Sequence, residues 1–234
     1  MDTVARTTIA RIAGLLYLVV VLAGIFSIAY VPSQTQVAGD AAATVAKITA
    51  NTGLFRAGVA AGLVCYTAFL LLLLALFRLL HPHGRTAAVL MVALAAASVP
   101  VSLFNLTHKL DVLTLLGNAP ELHAFGAELV TAQVMLALKA YGNGLLVSKL
   151  FWGLWLLPFG WLVFTSRLLP RALGVLLMLG CFGYVIDVFV RVLAPEFAAT
   201  PMAGYITLPA TLGEIGTCLW LLVFGVRAPA QAGR

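Results

Sequence analysis

Six stretches of about 20 apolar residues run through the chain: Ile12 to Val31, Ala57 to Phe77, Ala87 to Leu106, Tyr141 to Thr165, Ala172 to Ala194 and Tyr205 to Val226. A helix rises 1.5 Å per residue, so about 20 residues match the ~30 Å hydrocarbon core of a bilayer. In lipid every backbone N–H and C=O must be satisfied within the protein, which favours helices for such stretches. The expected fold class is therefore an all-α membrane protein: six transmembrane helices forming a single bundle domain over residues 1–234, with short amphipathic helices on the outer side.

Composition agrees with that solvent. Apolar residues make up 62% of the 234, charged residues only 9%, and the mean hydropathy is +1.07. Soluble domains are about 25% charged, so a soluble globular enzyme is excluded, and disorder is excluded by the same hydrophobicity. The net charge of +6 comes from 14 basic residues scattered between apolar blocks, with no run of the kind that binds nucleic acid. Cys65, Cys181 and Cys218 each lie in an apolar stretch without CxxC spacing, so neither a disulfide framework nor a zinc site is expected.

The first stretch follows Arg6 and Arg11, as a signal peptide would, but it exceeds the usual apolar core and no A-x-A-like site follows it. It is read as an anchor. Arg6, Arg11, Arg78, Arg85, Arg167, Arg171, Arg227 and Arg234 fall on one side of the six crossings. Lys47, Arg56, Lys109 and Lys139 fall on the other, among Asp40, Asp111, Glu121, Glu128 and Glu196. The positive-inside rule then places both termini in the cytoplasm of an inner-membrane protein.

The cytoplasmic connections, His81 to Thr86 and Ser166 to Arg171, are short, which makes their flanking helices antiparallel neighbours. On the outer side, Asp40 reads as the N-cap of a helix over Ala41 to Ala50 that ends at Asn51 to Gly53. Between Glu121 and Lys139, Leu122, Phe125, Leu129 and Leu136 recur at helical spacing. That segment is either an amphipathic helix on the outer interface or an extension of the fourth stretch broken at Gly142 and Gly144.

Pro100, Pro158 and Pro209 are candidate kinks. Gly58 and Gly62, a GxxxG pair, predict close helix contact, within the protomer or in a homo-oligomer. Arg11-x-x-Gly14-x-Leu16 and Arg171-x-x-Gly174-x-Leu176 open two stretches alike, a short internal similarity of the kind transporters carry.

Four charges lie at depth: Lys149, Asp187, Arg191 and Glu214. Asp187 and Arg191 are i,i+4 with the acid first, the favoured ion-pair order. Lys149 and Glu214, on different helices, are candidates for a second pair. Two readings stand side by side. In one, two acids and two bases neutralise each other and hold the last three helices in register. In the other, they line a polar pocket open to the outside, enlarged by Asn105, His108, Arg56, Asn143 and Ser148.

His108, Asp111, Glu121, His123 and Glu128 form a loose N/O set, but spacing shows no convergence of three ligands, and no metal is assigned. His81 and His83 flank Pro82 in a solvated turn. GxSxG, HExxH, P-loop and Rossmann motifs are missing, and no nucleophile stands beside Asp187 or Glu214. Phe151, Trp152, Trp155, Phe159 and Trp161 are read as packing against neighbours and lipid. No cofactor is implied.

The chain resembles a bacterial membrane family known as domain of unknown function 4386. The likeness begins at Arg11-Ile-Ala-Gly-Leu-Leu-Tyr17, Gly39-Asp40 and Leu54-Phe55-Arg56. It is most specific in Leu169-Pro170-Arg171-Ala-Leu-Gly174-Val-Leu-Leu177, Gly183-Tyr184-x-x-Asp187, and Pro209-x-x-x-Gly213-Glu214 followed by Leu219-Trp220-Leu-Leu222. The resemblance implies a multi-pass membrane protein and carries no activity with it. It implies acids at Asp187 and Glu214, and no fixed charge at Lys149 or Arg191.

The leading functional expectation is a protein that binds, and transports or senses, a small or lipid-like molecule in an outward-facing pocket, with Glu214 and Asp187 as polar anchors and Arg191 and Lys149 as their partners. The alternatives are a structural protein associating through Gly58 and Gly62, and an intramembrane enzyme. The lipid bilayer is the partner common to all three.

Overall fold

Apolar runs become long helices, and at Pro158 and Pro195 a proline marks where one stops. The computed structural model describes residues 3–117, 126–198 and 200–226. The chain begins with α1 (Thr3–Ile25), a π-helical turn (Phe26–Tyr30), α2 (Val31–Thr35), α3 (Ala41–Ala50) and α4 (Thr52–Leu80). A 3₁₀ turn at His81–His83 leads to α5 (Arg85–Asn105), α6 (Thr107–Leu115), α7 (Ala127–Leu154) and α8 (Leu156–Ser166). The last elements are α9 (Arg171–Leu193), α10 (Pro195–Ala198), α11 (Pro201–Tyr205) and α12 (Leu208–Val223). No strand occurs among the described residues.

These elements make six segments long and apolar enough to cross a bilayer: Val4–Thr35, Thr52–His83, Arg85–Leu115, Ala127–Ser166, Arg171–Leu193 and Met202–Val223. They coincide with the six stretches read from sequence and run longer in four cases. Leu22, Leu74, Phe104, Leu136, Phe182 and Leu219 are exposed on their helices, an apolar surface that only lipid or another apolar partner covers.

Asp40 caps α3 as its position predicts: its Oδ1 accepts from the Ala43 N–H at 2.8 Å. The segment from Ala127 to Lys139 departs from the interfacial-helix reading. It is continuous with the fourth span inside α7, and neither Gly142 nor Gly144 breaks that helix. Flanking residues with good helix propensity carry the register through both glycines, each of which costs only about 1 kcal/mol. Glu121, Leu122, His123 and Phe125 lie outside the described residues.

The prolines act unequally. Pro158 has no N–H to give the carbonyl four residues back, and α7 ends at that residue, Leu154, before α8 begins at Leu156. Pro209 stands in the first turn of α12, where its missing N–H costs nothing. Pro100 lies within α5, which continues to Asn105.

The residues group into two compact units. The first comprises Met1–Leu18, Ala68–Val99 and Val147–Arg234, the second Val19–Thr67 and Pro100–Leu146. In the first, Trp155 stacks on Phe159 with centroids 5.0 Å apart and meets Phe69 edge-on at 5.4 Å, and Leu72, Leu76, Met91 and Leu162 are also buried. Packing between helices in lipid depends on close fit, since tails are as apolar as leucine. Glycines provide it here. A Cβ on Gly160 would stand 2.6 Å from the Gly174 carbonyl oxygen, and one on Gly180 would stand 2.6 Å from the Ala210 Cα. The second unit has its core at Val31, Ile48, Phe55, Val59, Val112 and Val134.

Candidate functional site

In the first unit, α9 presents Asp187 and Arg191 one turn apart, and α7 brings Lys149 against them. The Lys149 Nζ lies 2.7 Å from Asp187 Oδ2, and the Arg191 Nε donates to both carboxylate oxygens at 3.0 Å. The Asp187 side chain is 1% exposed, Lys149 26% and Arg191 42%. Gly153, one turn beyond Lys149, lets α7 approach, because a Cβ there would fall 2.6 Å from the Cβ of Tyr184 on α9. Asp187 thus joins two cations in one triad of net charge +1.

Glu214 stands apart from that triad. The Tyr17 hydroxyl of α1 donates to its Oε1 at 3.2 Å and the Tyr184 hydroxyl of α9 donates to its Oε2 at 3.2 Å. Among the described residues, no Lys, Arg or His nitrogen lies within 4.0 Å of its carboxylate. Three helices meet around it through small residues. A Cβ on Gly14 of α1 would press on the backbone of Leu222, and Gly213 of α12 lies against the backbone of Leu176 and Leu177. The Cys218 thiol, one turn from Glu214, points at the Gly14 carbonyl oxygen at 3.7 Å.

The expected Lys149–Glu214 pair is therefore absent. Lys149 sits on the face of α7 that Gly153 docks to α9, and its ammonium goes to Asp187. The four intramembrane charges divide into a paired acid with two bases and a lone acid with two phenols. They do not form one neutral cluster.

Ser148 belongs to the first unit, and Arg56, Asn105, His108, Asn143 and the Gly58–Gly62 pair to the second. Asn105 is buried, its Nδ2 donates to the Tyr141 carbonyl oxygen at 2.9 Å, and among the described residues its Oδ1 has no hydrogen-bond partner. Its amide occupies the space over Gly144 that any side chain there would fill. His108 is partly exposed, with Nδ1 3.5 Å from Asp111 Oδ2. Among the described residues no three His, Cys, Asp or Glu side chains converge on a point that could hold a metal. The glycines of the GxxxG pair face the chain itself: a Cβ on Gly58 would stand 3.0 Å from both Val31 methyls, and one on Gly62 would stand 2.9 Å from a Leu106 methyl. That helix face is filled within the protomer.

The family described as a domain of unknown function, DUF4386, matches residues 12–225. The chain belongs to that family. The match takes in all six spans except the first turns of α1. No curated protein and no solved structure matches the chain. What this DUF4386 protein does must therefore be argued from its own residues.

Two kinds of residue escaped the reading of the sequence. Tyr17 and Tyr184 stand inside the motifs that carry the family likeness, yet an isolated tyrosine in an apolar helix gives no sign that its hydroxyl reaches an acid on another helix. Lys109, counted among the charges outside the membrane, is 1% exposed, with its Nζ on the Ser27 carbonyl oxygen at 2.9 Å and 4.3 Å from the centre of the Tyr141 ring. Its i,i+4 relation to Asn105 was the available signal.

Proposed function

We propose that this DUF4386 protein binds a small or lipid-like molecule bearing a positive charge, with Glu214 as the anchor. The observation that carries this is the lone carboxylate: Glu214 accepts two tyrosine hydroxyls and meets no cation among the described residues. An ionisable group inside a membrane segment is costly and marks ligand or ion sites. Carboxylate next to aromatic rings is also the chemistry that recognises ammonium groups, by charge and by the negative face of the ring. Asp187, whose oxygens are taken by Lys149 and Arg191, serves in this reading as the brace of α9 and α7, and no longer as a second anchor.

The arginine distribution supports an inner-membrane orientation with both termini cytoplasmic, eight Arg against Lys47, Arg56 and Lys139 on the opposite side once the buried Lys109 is set aside. A reporter active only in the cytoplasm, fused to the C-terminus, should be active; an inactive, stably inserted fusion refutes that orientation.

The binding reading is tested with purified protein in nanodiscs, using tetraphenylphosphonium and dodecylamine as cationic probes and dodecanol as the neutral control. Tryptophan fluorescence should report saturable binding of at least one cation, no binding of the alcohol, and a tenfold or greater loss of affinity in Glu214→Gln. Equal affinity in wild type and variant, or no saturable binding of either cation, refutes it.

A further inference from the structure

The π-helical turn in the first span, Phe26–Tyr30, stands just before Pro32. The Val31 N–H donates to the Phe26 carbonyl oxygen, five residues back, where an α-helix would have sent it to Ser27. In that register the next donor, for the Ser27 oxygen, would be the N–H of residue 32, and residue 32 is proline. Had the turn stayed α, Ser27 would have taken the Val31 N–H and Ile28 would have lost its donor to the same proline. Pro32 leaves a carbonyl without a donor in either register, and the register decides which one.

The side-chain environment distinguishes the two. Ser27 is buried, whereas Ile28 is only partly so. Facing Ser27 is Lys109 of α6, whose Nζ lies 2.9 Å from the carbonyl oxygen that proline deprives. The ring of Tyr141, on α7, also lies against this ammonium. Among the described residues no Asp or Glu oxygen lies within 4.0 Å of it. A buried lysine with no acid partner is costly to keep, and a buried carbonyl with no donor is costly to leave. Each removes part of the other's cost.

We propose that Lys109 is a register latch: its ammonium stands in for the N–H that Pro32 lacks, and so holds Phe26–Tyr30 as a π turn with Ser27 facing inward. The backbone alone offers two alternatives, and a side chain from another span chooses between them. Such π turns inside α-helices recur at functional sites because they re-aim a face of the helix by about one residue, or roughly 100°. This latch rests on the second unit alone and stands or falls independently of the role given to Glu214.

The test is a pair of double mutants followed by thermal unfolding in detergent. Lys109→Met should lower the midpoint by about 5 °C or more, as loss of a charge-assisted bond to a buried carbonyl implies. Pro32→Ala returns an N–H to position 32, so in that background the same Lys109→Met change should cost less than half as much. Asn105→Ala removes an amide that bonds to the Tyr141 carbonyl, and it should cost the same whether or not Pro32→Ala is present. If Lys109→Met yields no folded protein, the double variant should restore it. No loss from Lys109→Met, an equal loss in both backgrounds, failure of the double variant to recover, or equal relief of Asn105→Ala by Pro32→Ala overturns the latch.

Discussion

Replacing Asp187 by Asn keeps its shape and removes its charge, leaving Lys149 and Arg191 as neighbouring cations with no acid between them. Three charge-assisted contacts weaken together, one at 2.7 Å and two at 3.0 Å. Removing one member of a fully buried pair costs about 3–5 kcal/mol, but the two cations here are 26% and 42% exposed and are relieved by their surroundings. A loss of about 2–3 kcal/mol is expected, measured as the shift in unfolding free energy in mixed micelles. The apportionment is sharper than the total. Lys149 is the less exposed cation and makes the shorter contact, so the Asp187→Asn, Lys149→Met cycle should give a coupling of about 1–2 kcal/mol, near the upper end for polar pairs in membranes. The Asp187→Asn, Arg191→Met cycle should give less than half of that. A coupling near zero for Asp187 and Lys149, or a larger one for Arg191, would refute the view that this acid fastens α7 to α9.

Three other outcomes are expected. Gly160→Ala places a methyl on the carbonyl oxygen of Gly174, so α8 and α9 must separate; a loss of about 1–3 kcal/mol in the same unfolding assay is expected, and a neutral result would contradict the backbone contact. Tyr17→Phe removes one of the two hydroxyls on Glu214 and should cost about 1–2 kcal/mol, while in Glu214→Gln the further cost of Tyr17→Phe should fall by at least half. Asp40→Ala should destabilise α3 by about 0.5–2 kcal/mol, seen as faster amide exchange at Ala43, with Asp40→Ser close to wild type.

The number of spans, the cap at Asp40 and the i,i+4 pairing of Asp187 with Arg191 were legible because each is local: hydrophobic length, capping chemistry and helical spacing act within one segment. Which helices carry the partners was not. Lys149 lies on a face that Gly153 docks to α9, and a single sequence shows no helix rotation, so nothing in it prefers Asp187 over Glu214 as the partner of Lys149. The tyrosines of Glu214 were hidden for the same reason, 197 and 30 residues away along the chain. Lys109 was misplaced because an apolar window ends at the last hydrophobic residue, whereas a helix can carry a lysine further in when a bare carbonyl waits for it. Of the stripe read between Glu121 and Lys139, Leu129 and Leu136 lie on α7, and periodicity reports only that a segment is helical and not whether it is joined to the next one.

Tyr184 and Asp187 are three residues apart on α9, a rise of about 4.5 Å. One rigid staff therefore grips the lone acid of α12 with a phenol and the lysine of α7 with a carboxylate. Whatever pulls Glu214 away from Tyr184 acts on the helix that Asp187 ties to Lys149 one turn further along. Under the proposed binding role, a molecule seated at Glu214 would act on the same helix that holds Lys149, so Lys149→Met should alter the affinity of Glu214 for its cation.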